Sequence, residues 1–366
     1  MVDYEIFNDI LNIFEKEVSR NTKNKEKIYN FDKYKMQNIN YIYNLIANYN
    51  GEKQYICKYN IFLITRPKPR IVMSLNIKDK VINHYVTRKY LMPRLEKYLD
   101  FRNVATRKGK GTDYARNLLK KYIEENKKYD NFYVLKFDIS KYFYSIDHKV
   151  LKEMLVDKLP LLEYKFICDI LNSTNYPYIN KSIEYFKSVH PELSDKFKFY
   201  ENGKGLPIGN MTSQFLSIFY LNEFDHKIIH DYKVKYFVHY MDDFILIDKD
   251  KKKLEKVFKL IRKELFEKYK LKLNENKSHI TSIKNGFTFL GNNYKVINNK
   301  TIIRIDQKVK KRIKHRLKEV NYLYKNDLMS FESFFCSINT YLYSYKNSAW
   351  WMKRLINKEI FNNEYK

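Results

Sequence analysis

The sequence contains few of the residues that interrupt regular structure or cross-link a chain. Only 8 glycines and 7 prolines occur in 366 residues, which excludes a collagen-like chain and disfavours a sandwich built on many tight turns. The three cysteines, Cys57, Cys168 and Cys336, are far apart and form no CxxC pair. A disulfide scaffold and a zinc module are therefore excluded, and we expect reduced cysteines with structural roles.

Long apolar runs are also missing. No stretch approaches the roughly 18 apolar residues that a membrane-spanning helix needs. The first twenty residues include the carboxylates Asp3, Glu5, Asp9 and Glu15, where a signal peptide would be basic and then apolar. We therefore expect a cytoplasmic protein with no membrane partner.

Basic residues, in contrast, are in large excess. The chain has 70 Lys and Arg against 42 Asp and Glu, a formal net charge of +28. Such a charge favours a polyanionic partner, because binding to phosphates releases counterions. The alternative is codon bias in an AT-rich genome, although that bias would also raise Glu. At about 150 residues per domain, the length predicts two or three domains.

Apolar periodicity predicts a mixed α+β chain. The pattern predicts a hairpin from residues 55–65 and 70–74, a strand at 132–138, a strand pair within 235–247 and β structure over 286–305. Helices are predicted over 5–48, 79–98, 113–125, 216–230, 251–269 and from residue 306 onward, with another beginning near residue 148.

Three aspartates lie at the ends of apolar, strand-like runs. Asp242 and Asp243 sit between two such runs, and Asp138 closes a third. Adjacent acids next to buried strands are costly unless a cation neutralises them. Three carboxylates at one sheet edge would suit two Mg²⁺ ions about 3.5–4 Å apart. The alternative interpretation of the adjacent pair is a solvated turn.

Seven segments in order resemble the motifs of reverse transcriptases. Residues 137–148, 205–214 and 240–243 (Tyr-Met-Asp-Asp) resemble the three central palm motifs. The flanking matches are residues 64–71 (fingers), 108–112 (the segment before the palm), 271–280 (the lysine motif) and 286–291 (the primer grip). The resemblance covers about residues 55–350 and implies a right-hand polymerase fold with fingers, palm and helical thumb.

The resemblance implies roles for the acids and for a basic hairpin. Asp138, Asp242 and Asp243 would be catalytic and would hold two Mg²⁺ ions, or Mn²⁺, with the Ile139 carbonyl as a further ligand. Three cations, Arg66, Lys68 and Arg70, would contact the triphosphate of a dNTP, with Arg70 the best placed. An ordinary exposed basic hairpin is the alternative for these three residues.

Further positions would contact the incoming nucleotide. Phe143 resembles the steric gate that excludes a 2′-hydroxyl, and its alternative is a core aromatic. Tyr240, Gly209 and Lys277 match the family's substrate-binding positions, as does Ile139. His148, His239 and His279 do not suggest histidine-based catalysis.

Two residues depart from the commoner family pattern. Ile208 replaces a glutamine and Gln214 replaces a proline. Because isoleucine cannot hydrogen-bond a nucleotide, we expect less discrimination at this position. Ile-Gly with Ser-Gln resembles reverse transcriptases of diversity-generating retroelements, and also bacterial lineages that serve antiviral defence. The motifs leave both contexts open.

The resemblance also implies a division of the chain. We expect an N-terminal helical extension (1–49), fingers (50–130), palm (131–150 and 205–290), an insertion (151–204) and a helical thumb (291–366). Nucleic acid would contact the primer grip and the basic face of the first thumb helix. The residues implied are Phe289, Leu290, Gly291, Lys308, Lys311 and Arg312. The alternative for the helix is a solvated face over an apolar stripe of core residues.

The expected reaction is RNA-directed DNA synthesis from dNTPs onto a 3′-hydroxyl. The partners would be an RNA template, a DNA primer or product, a cognate non-coding RNA and an accessory protein. Two alternatives stay open: a template-independent or protein-primed DNA polymerase on the same palm, and an RNA-organising protein with vestigial acids.

Overall fold

The computed structural model describes residues 3–65, 68–344 and 349–360. The strands are β1 (Tyr59–Ile64), β2 (Arg70–Leu75), β3 (Tyr133–Asp138), β4 (Tyr236–Tyr240), β5 (Asp243–Asp248), β6 (His279–Ser282), β7 (Phe287–Phe289), β8 (Asn292–Ile297) and β9 (Lys300–Ile305). They confirm the predicted α+β class and the predicted hairpins.

Helices account for most of the remaining regular structure. The α-helices are α1 (Tyr4–Ile13), α2 (Ser19–Asn21), α3 (Lys25–Asp32), α4 (Lys35–Ala47), α5 (Ile77–Tyr85), α6 (Met92–Leu95), α7 (Thr112–Asn126), α8 (Tyr142–Ser145), α9 (His148–Leu155), α10 (Leu161–Asn172), α11 (Pro177–Val189), α12 (Met211–Tyr220), α13 (Asn222–His230), α14 (Lys251–Glu267), α15 (Gln307–Lys325), α16 (Phe331–Ser344) and α17 (Ala349–Ile360). Short π-helical segments continue α1 and α5, at Phe14–Val18 and Val86–Leu91.

Several helices begin at an aspartate whose carboxylate accepts backbone N–H groups of the first turn. Asp3 caps α1, Asp250 caps α14 and Asp306 caps α15. Such a side chain pairs amides that have no partner within the helix. These helix starts are therefore determined locally by sequence.

The chain divides into two compact units. The first comprises the chain up to Leu119 together with Leu135–His279, and the second comprises Lys120–Val134 together with the chain from Ile280 onward. The expected hairpin β1–β2 lies in the first unit, where Ile64 pairs with Arg70 at its turn end. On β2, Ile71, Met73 and Leu75 are buried in alternation with more exposed residues.

A sheet of four strands, in the order β4-β5-β3-β6, provides the framework of the candidate site. Four consecutive residues of β5, from Phe244 to Ile247, are buried. Such a continuous apolar run is typical of a strand covered on both faces. The interior of β5 is therefore buried, and Asp243 at its first position is less so.

The expectation of one helix over residues 216–230 was wrong. The helix ends at Tyr220, Leu221 has non-helical backbone angles, and a new helix begins at Asn222. The side-chain amide of Asn222 donates to the carbonyl of Phe219 at 2.6 Å, which satisfies one of the last carbonyls of α12. Because Leu221 is itself buried, the apolar pattern does not reveal the break.

The second unit has a sheet of its own, β7-β8-β9, and a helical cluster. The predicted stripe of α15 is confirmed as core: Ile313, Leu317 and Val320 are buried with residues of α16 and α17. In the part of the chain that the structure describes, no helix has the length and apolarity to cross a bilayer.

Candidate active site

The adjacent acids lie at a two-residue turn between β4 and β5. Tyr240 pairs with Asp243, so Met241 and Asp242 form the loop. Met241 has φ 58°, the left-handed region that a non-glycine residue rarely adopts. The predicted hairpin is confirmed, and it places Asp242 in the loop with Asp243 at the start of β5.

Asp138 comes from a different strand and ends beside this turn. It is the last residue of β3 and is 4% exposed. The amide of the next residue, Ile139, donates to the carbonyl of Asp242 at 3.1 Å. The fold therefore brings together two segments about a hundred residues apart, as the strand-end aspartates predicted.

The electrostatics of the acids are those of a crowded carboxylate cluster. The pKa of Asp242 is raised to about 6 by burial and then by the charges of Asp243 and Asp138. Burial also raises the pKa of Asp243, while the charge of Lys136, whose Nζ lies 4.0 Å from its Oδ1, opposes the rise. Like charges that raise one another's pKa are typical of sites that bind a cation or perform acid–base chemistry.

One of the three acids is already neutralised by protein groups. The Nζ of Lys277 lies 2.9 Å from both carboxylate oxygens of Asp138, and the amide of Asn274 donates to the same carboxylate at 3.0 Å. Burial is the largest single effect and lowers the pKa of Lys277, but the hydrogen bond to Asp138 and the charges of the three aspartates together raise it, so the net shift is upward. The expected substrate-binding lysine is thus a partner of Asp138 in this conformation.

These contacts bear on the metal expectation. Across residues 3–65, 68–344 and 349–360, no three acidic, histidine or cysteine side chains are grouped as they would be around a metal ion. The carboxylates nevertheless fit a divalent cation chemically, since they are hard oxygen donors in a partly buried cluster whose mutual repulsion a cation would relieve. Such an ion would have to displace Lys277 from Asp138.

The predicted phosphate-binding cations are only partly described. Arg66 lies outside the described residues. Lys68 precedes β2, Arg70 is the first residue of β2, and both are exposed. Burial is the main effect on the pKa of Asp243, and the charge of Lys68 is one of those that oppose it. Lys68 therefore acts electrostatically on the carboxylate cluster, in agreement with a position near the site.

The two aromatics after Asp138 have different environments. Tyr142 is 2% exposed and donates its hydroxyl to the carbonyl of Ser217 at 2.6 Å, so it is a core residue. Phe143 is only partly buried. Its carbonyl accepts from the amide of Leu206 at 2.7 Å, which joins it to the segment before α12. Unlike Tyr142, Phe143 is therefore not a fully buried core residue.

The segment with Ile208 and Gly209 packs against β2. The carbonyl of Ile208 accepts from the amide of Met73 at 3.0 Å, and its side chain is half-buried. Gly209 has φ 112°, and a Cβ there would lie 3.0 Å from a methyl group of Val72. Glycine is therefore required for this close approach. Gln214 lies half-buried in the first turns of α12.

Sequence reasoning missed several residues that support the acids. Asn274 and Lys136 contact Asp138 and Asp243 respectively. His239 and Asp225, for which the sequence suggests no role, form a fully buried pair directly behind the turn. The one available signal was the type of residue, a histidine next to Tyr240 and an acid among the mixed residues of α13, and neither specifies a partner.

The expected nucleic-acid contacts lie in the second unit. Phe289 is buried at the end of β7, and it is followed by Leu290 with φ 45° and Gly291 with φ 81°. The carbonyl of Gly291 accepts from the amide of Asp306 at 3.0 Å, which joins this turn to the start of α15. The three expected cations of α15, Lys308, Lys311 and Arg312, are exposed.

Comparison with known proteins gives one family. A family profile described as "Reverse transcriptase (RNA-dependent DNA polymerase)" matches residues 56–294. No curated protein matches the sequence at a significant level.

Telomerases are among the solved structures to which the chain is similar. Apo telomerase from Candida tropicalis, truncated from its C-terminal domain, is 19% identical with a TM-score of 0.43, over 70% of this chain and 56% of that one. Telomerase from Candida albicans in complex with a fragment of telomeric RNA is 13% identical with a TM-score of 0.44, over 75% of this chain and 51% of that one. The chain thus spans about half the length of the telomerases it matches.

Proposed function

The chain belongs to the reverse transcriptase family, and we propose that it is an RNA-directed DNA polymerase that adds dNTPs to a 3′-hydroxyl. The observation that carries the proposal is the convergence of Asp138, Asp242 and Asp243, with the Ile139 amide bonded to the Asp242 carbonyl at 3.1 Å. This arrangement concentrates negative charge at one place, where nucleotidyl transfer requires divalent cations.

Two Mg²⁺ ions, or Mn²⁺, would be held by the three carboxylates with the Ile139 carbonyl as an additional oxygen. When bound, the ions lower the pKa of the attacking hydroxyl and stabilise the leaving pyrophosphate. Lys277 holds Asp138 in the absence of an ion. Its release from Asp138 would leave an ammonium group beside the leaving phosphates, in keeping with the expected role in substrate binding.

The nucleotide would lie between the acids and the hairpin β1–β2. The exposed cations Lys68 and Arg70 are suited to the triphosphate, and we expect Arg66 to be a third. Phe143 would lie beneath the sugar and exclude a 2′-hydroxyl. Ile208 would contribute packing and no hydrogen bond from its side chain.

The template–primer duplex would be bound chiefly through its phosphates. The net charge of +28 supports this proposal. In the second unit, the primer grip at residues 289–291 would support the primer end, and the exposed cations of α15 would contact the backbone of the duplex. The further partners we propose are a cognate non-coding RNA and an accessory protein, and the location we propose is the cytoplasm.

The biological context we propose is a bacterial retroelement or an antiviral defence system. Its support is the pairing of Ile208 with Gln214 where the commoner family pattern has other residues. The sequence of the product separates the two, since diversification requires frequent misincorporation opposite template adenine. A template-independent or protein-primed polymerase on the same palm would instead make product without RNA or without an added primer.

Primer extension tests the proposal. The purified chain is given poly(rA) annealed to oligo(dT), dTTP and Mg²⁺, with parallel reactions that lack the template, the primer or the metal. We expect extension only in the complete reaction, and none from Asp138→Asn, because an amide lacks the charge that binds the ions. Retained extension in this variant would refute the metal assignment. Product without template would favour the template-independent alternative, and product without primer the protein-primed one.

A further inference from the structure

The imidazole of His239 lies between two acceptors directly behind the Asp242 turn. Its Nε2 is 2.7 Å from the carbonyl oxygen of Met241, and its Nδ1 is 2.9 Å from Oδ2 of Asp225. The side chains of His239 and Asp225 are both 0% exposed. Water therefore cannot replace either of these two hydrogen bonds if one is lost.

The chemistry of these atoms determines where protons lie. A carbonyl oxygen only accepts, so Nε2 of His239 carries a proton that it donates to Met241. A second proton lies between Nδ1 and the Asp225 carboxyl. Burial raises the pKa of Asp225, and its hydrogen bonds from His239 and Asn103 oppose the rise. Whichever atom holds the second proton, the bond to the Met241 carbonyl is kept.

Several contacts fix the orientation of the ring. The amide of Asn103 donates to the same Asp225 oxygen at 3.0 Å. The ring of Phe244 stacks on the imidazole, with centroids 3.9 Å apart and planes 16° from parallel. The backbone amide of His239 donates to the carbonyl of Arg102, and the carbonyl of His239 accepts from the amide of Val104, each at 3.0 Å. The ring is therefore rigidly held.

The turn is the kind of structure that needs such support. Met241 has φ 58° without being glycine, which costs roughly 1–2 kcal/mol. Its peptide group joins it to Asp242, so the direction of the Met241 carbonyl determines the direction in which Asp242 leaves the turn. Burial and the charges of Asp243 and Asp138 also raise the pKa of Asp242, so these carboxylates repel one another.

We propose that His239, held by Asp225, is a positioning residue that keeps the Met241–Asp242 peptide oriented so that Asp242 faces Asp138 before any metal arrives. The metal part of this inference rests on the proposed function. Because positioning of the loop precedes metal binding, it can be measured separately in the metal-free protein.

Two isosteric variants separate the two hydrogen bonds. In His239→Gln, the side-chain amide reaches as far as Nε2 and can still donate to Met241, but the bond to Asp225 is lost. In His239→Asn, the amide has the position of Nδ1 and can still donate to Asp225, but the bond to Met241 is lost. Both variants remove the stacked ring and keep one of the two hydrogen bonds, so they differ in which bond is kept and in one methylene group.

The metal readout has two parts. Mn²⁺ binding to each variant is measured by electron paramagnetic resonance without nucleic acid, and kcat and KM for dTTP are measured by primer extension. We expect roughly a 10- to 100-fold loss of Mn²⁺ affinity and of kcat for His239→Asn, with KM nearly unchanged. His239→Gln should stay within a few-fold of wild type. His226→Asn is the control, since it removes a 2.9 Å bond from a histidine to the Tyr98 carbonyl.

The metal-free readout is a double-mutant cycle with Asp242→Asn, in which denaturation midpoints are measured with EDTA at pH 7.5. Removal of the Asp242 charge should stabilise the wild type and His239→Gln. It should stabilise His239→Asn much less, because the released turn lets the carboxylate move away from its neighbours.

Equal stabilisation in all three backgrounds would overturn the proposal, as would equal Mn²⁺ affinity in His239→Asn and His239→Gln. No stabilisation by Asp242→Asn in the wild type would also overturn it. If the wild type makes no DNA while the cycle behaves as expected, the proposed function fails and the positioning role stands.

Discussion

Asp242→Asn should make the metal-free protein more stable while it abolishes DNA synthesis. The pKa of Asp242 is raised to about 6, against roughly 3.9 for an unperturbed aspartate, and each unit corresponds to about 1.4 kcal/mol. The folded state thus binds the proton more tightly than the unfolded state. Stability falls as pH rises between about 4 and 6 and remains lower by up to about 3 kcal/mol at neutral pH.

Asparagine has nearly the same size and no charge, so the variant should recover up to that amount at pH 7.5. As pH falls towards 4, the carboxyl becomes protonated in both states, and the difference should shrink towards zero. Urea denaturation followed by circular dichroism, with EDTA present, measures the difference at several pH values. Mg²⁺ should then stabilise the wild type and leave the variant unchanged, since only the wild type binds it tightly.

Asp248→Asn is the matched control, because it lies at the other end of β5 and its carboxylate is 2.6 Å from the ammonium of Lys253. Its substitution removes an attraction and should not stabilise the fold. If Asp242→Asn is less stable than wild type at pH 7.5, or if its effect is independent of pH, the account of a strained carboxylate cluster is refuted.

Three further outcomes are expected. Phe143→Ala should lower the preference for dNTPs over rNTPs by roughly 10-fold or more, measured by competitive incorporation; unchanged selectivity in a folded variant would place the gate elsewhere. Ile208→Gln should reduce misincorporation opposite template adenine, measured by product sequencing, and an identical error spectrum would show that fidelity is set elsewhere. The triple substitution of Lys308, Lys311 and Arg312 by Ala should reduce the slope of log K against log salt by about 1 for each phosphate that these side chains neutralise, measured between about 50 and 200 mM salt by fluorescence anisotropy. An unchanged slope would show that this face of α15 is exposed to solvent and does not contact nucleic acid.

Much of the fold could be predicted because its determinants are local. The hairpin β1–β2, the turn at Asp242 and the apolar stripe of α15 follow from periodicity and turn residues. The position of Asp138 at a strand end could also be predicted, because an apolar run of residues ends at this acid. The prediction of a single helix failed at Leu221, where the local signal is ambiguous. This residue is apolar and buried, and yet it separates α12 from α13.

By itself, the sequence identified the three acids that we propose as catalytic, because these aspartates lie at strand ends within recognisable motifs. Only the tertiary structure decided what surrounds them. Lys277 reaches Asp138 from 139 residues away, and Asp225 holds the imidazole of His239 behind the turn. With 70 basic residues in the chain, no local pattern selects the one that neutralises a given acid. That selection depends on where chain reversals bring distant segments together, and on the cost of leaving a buried charge without a partner.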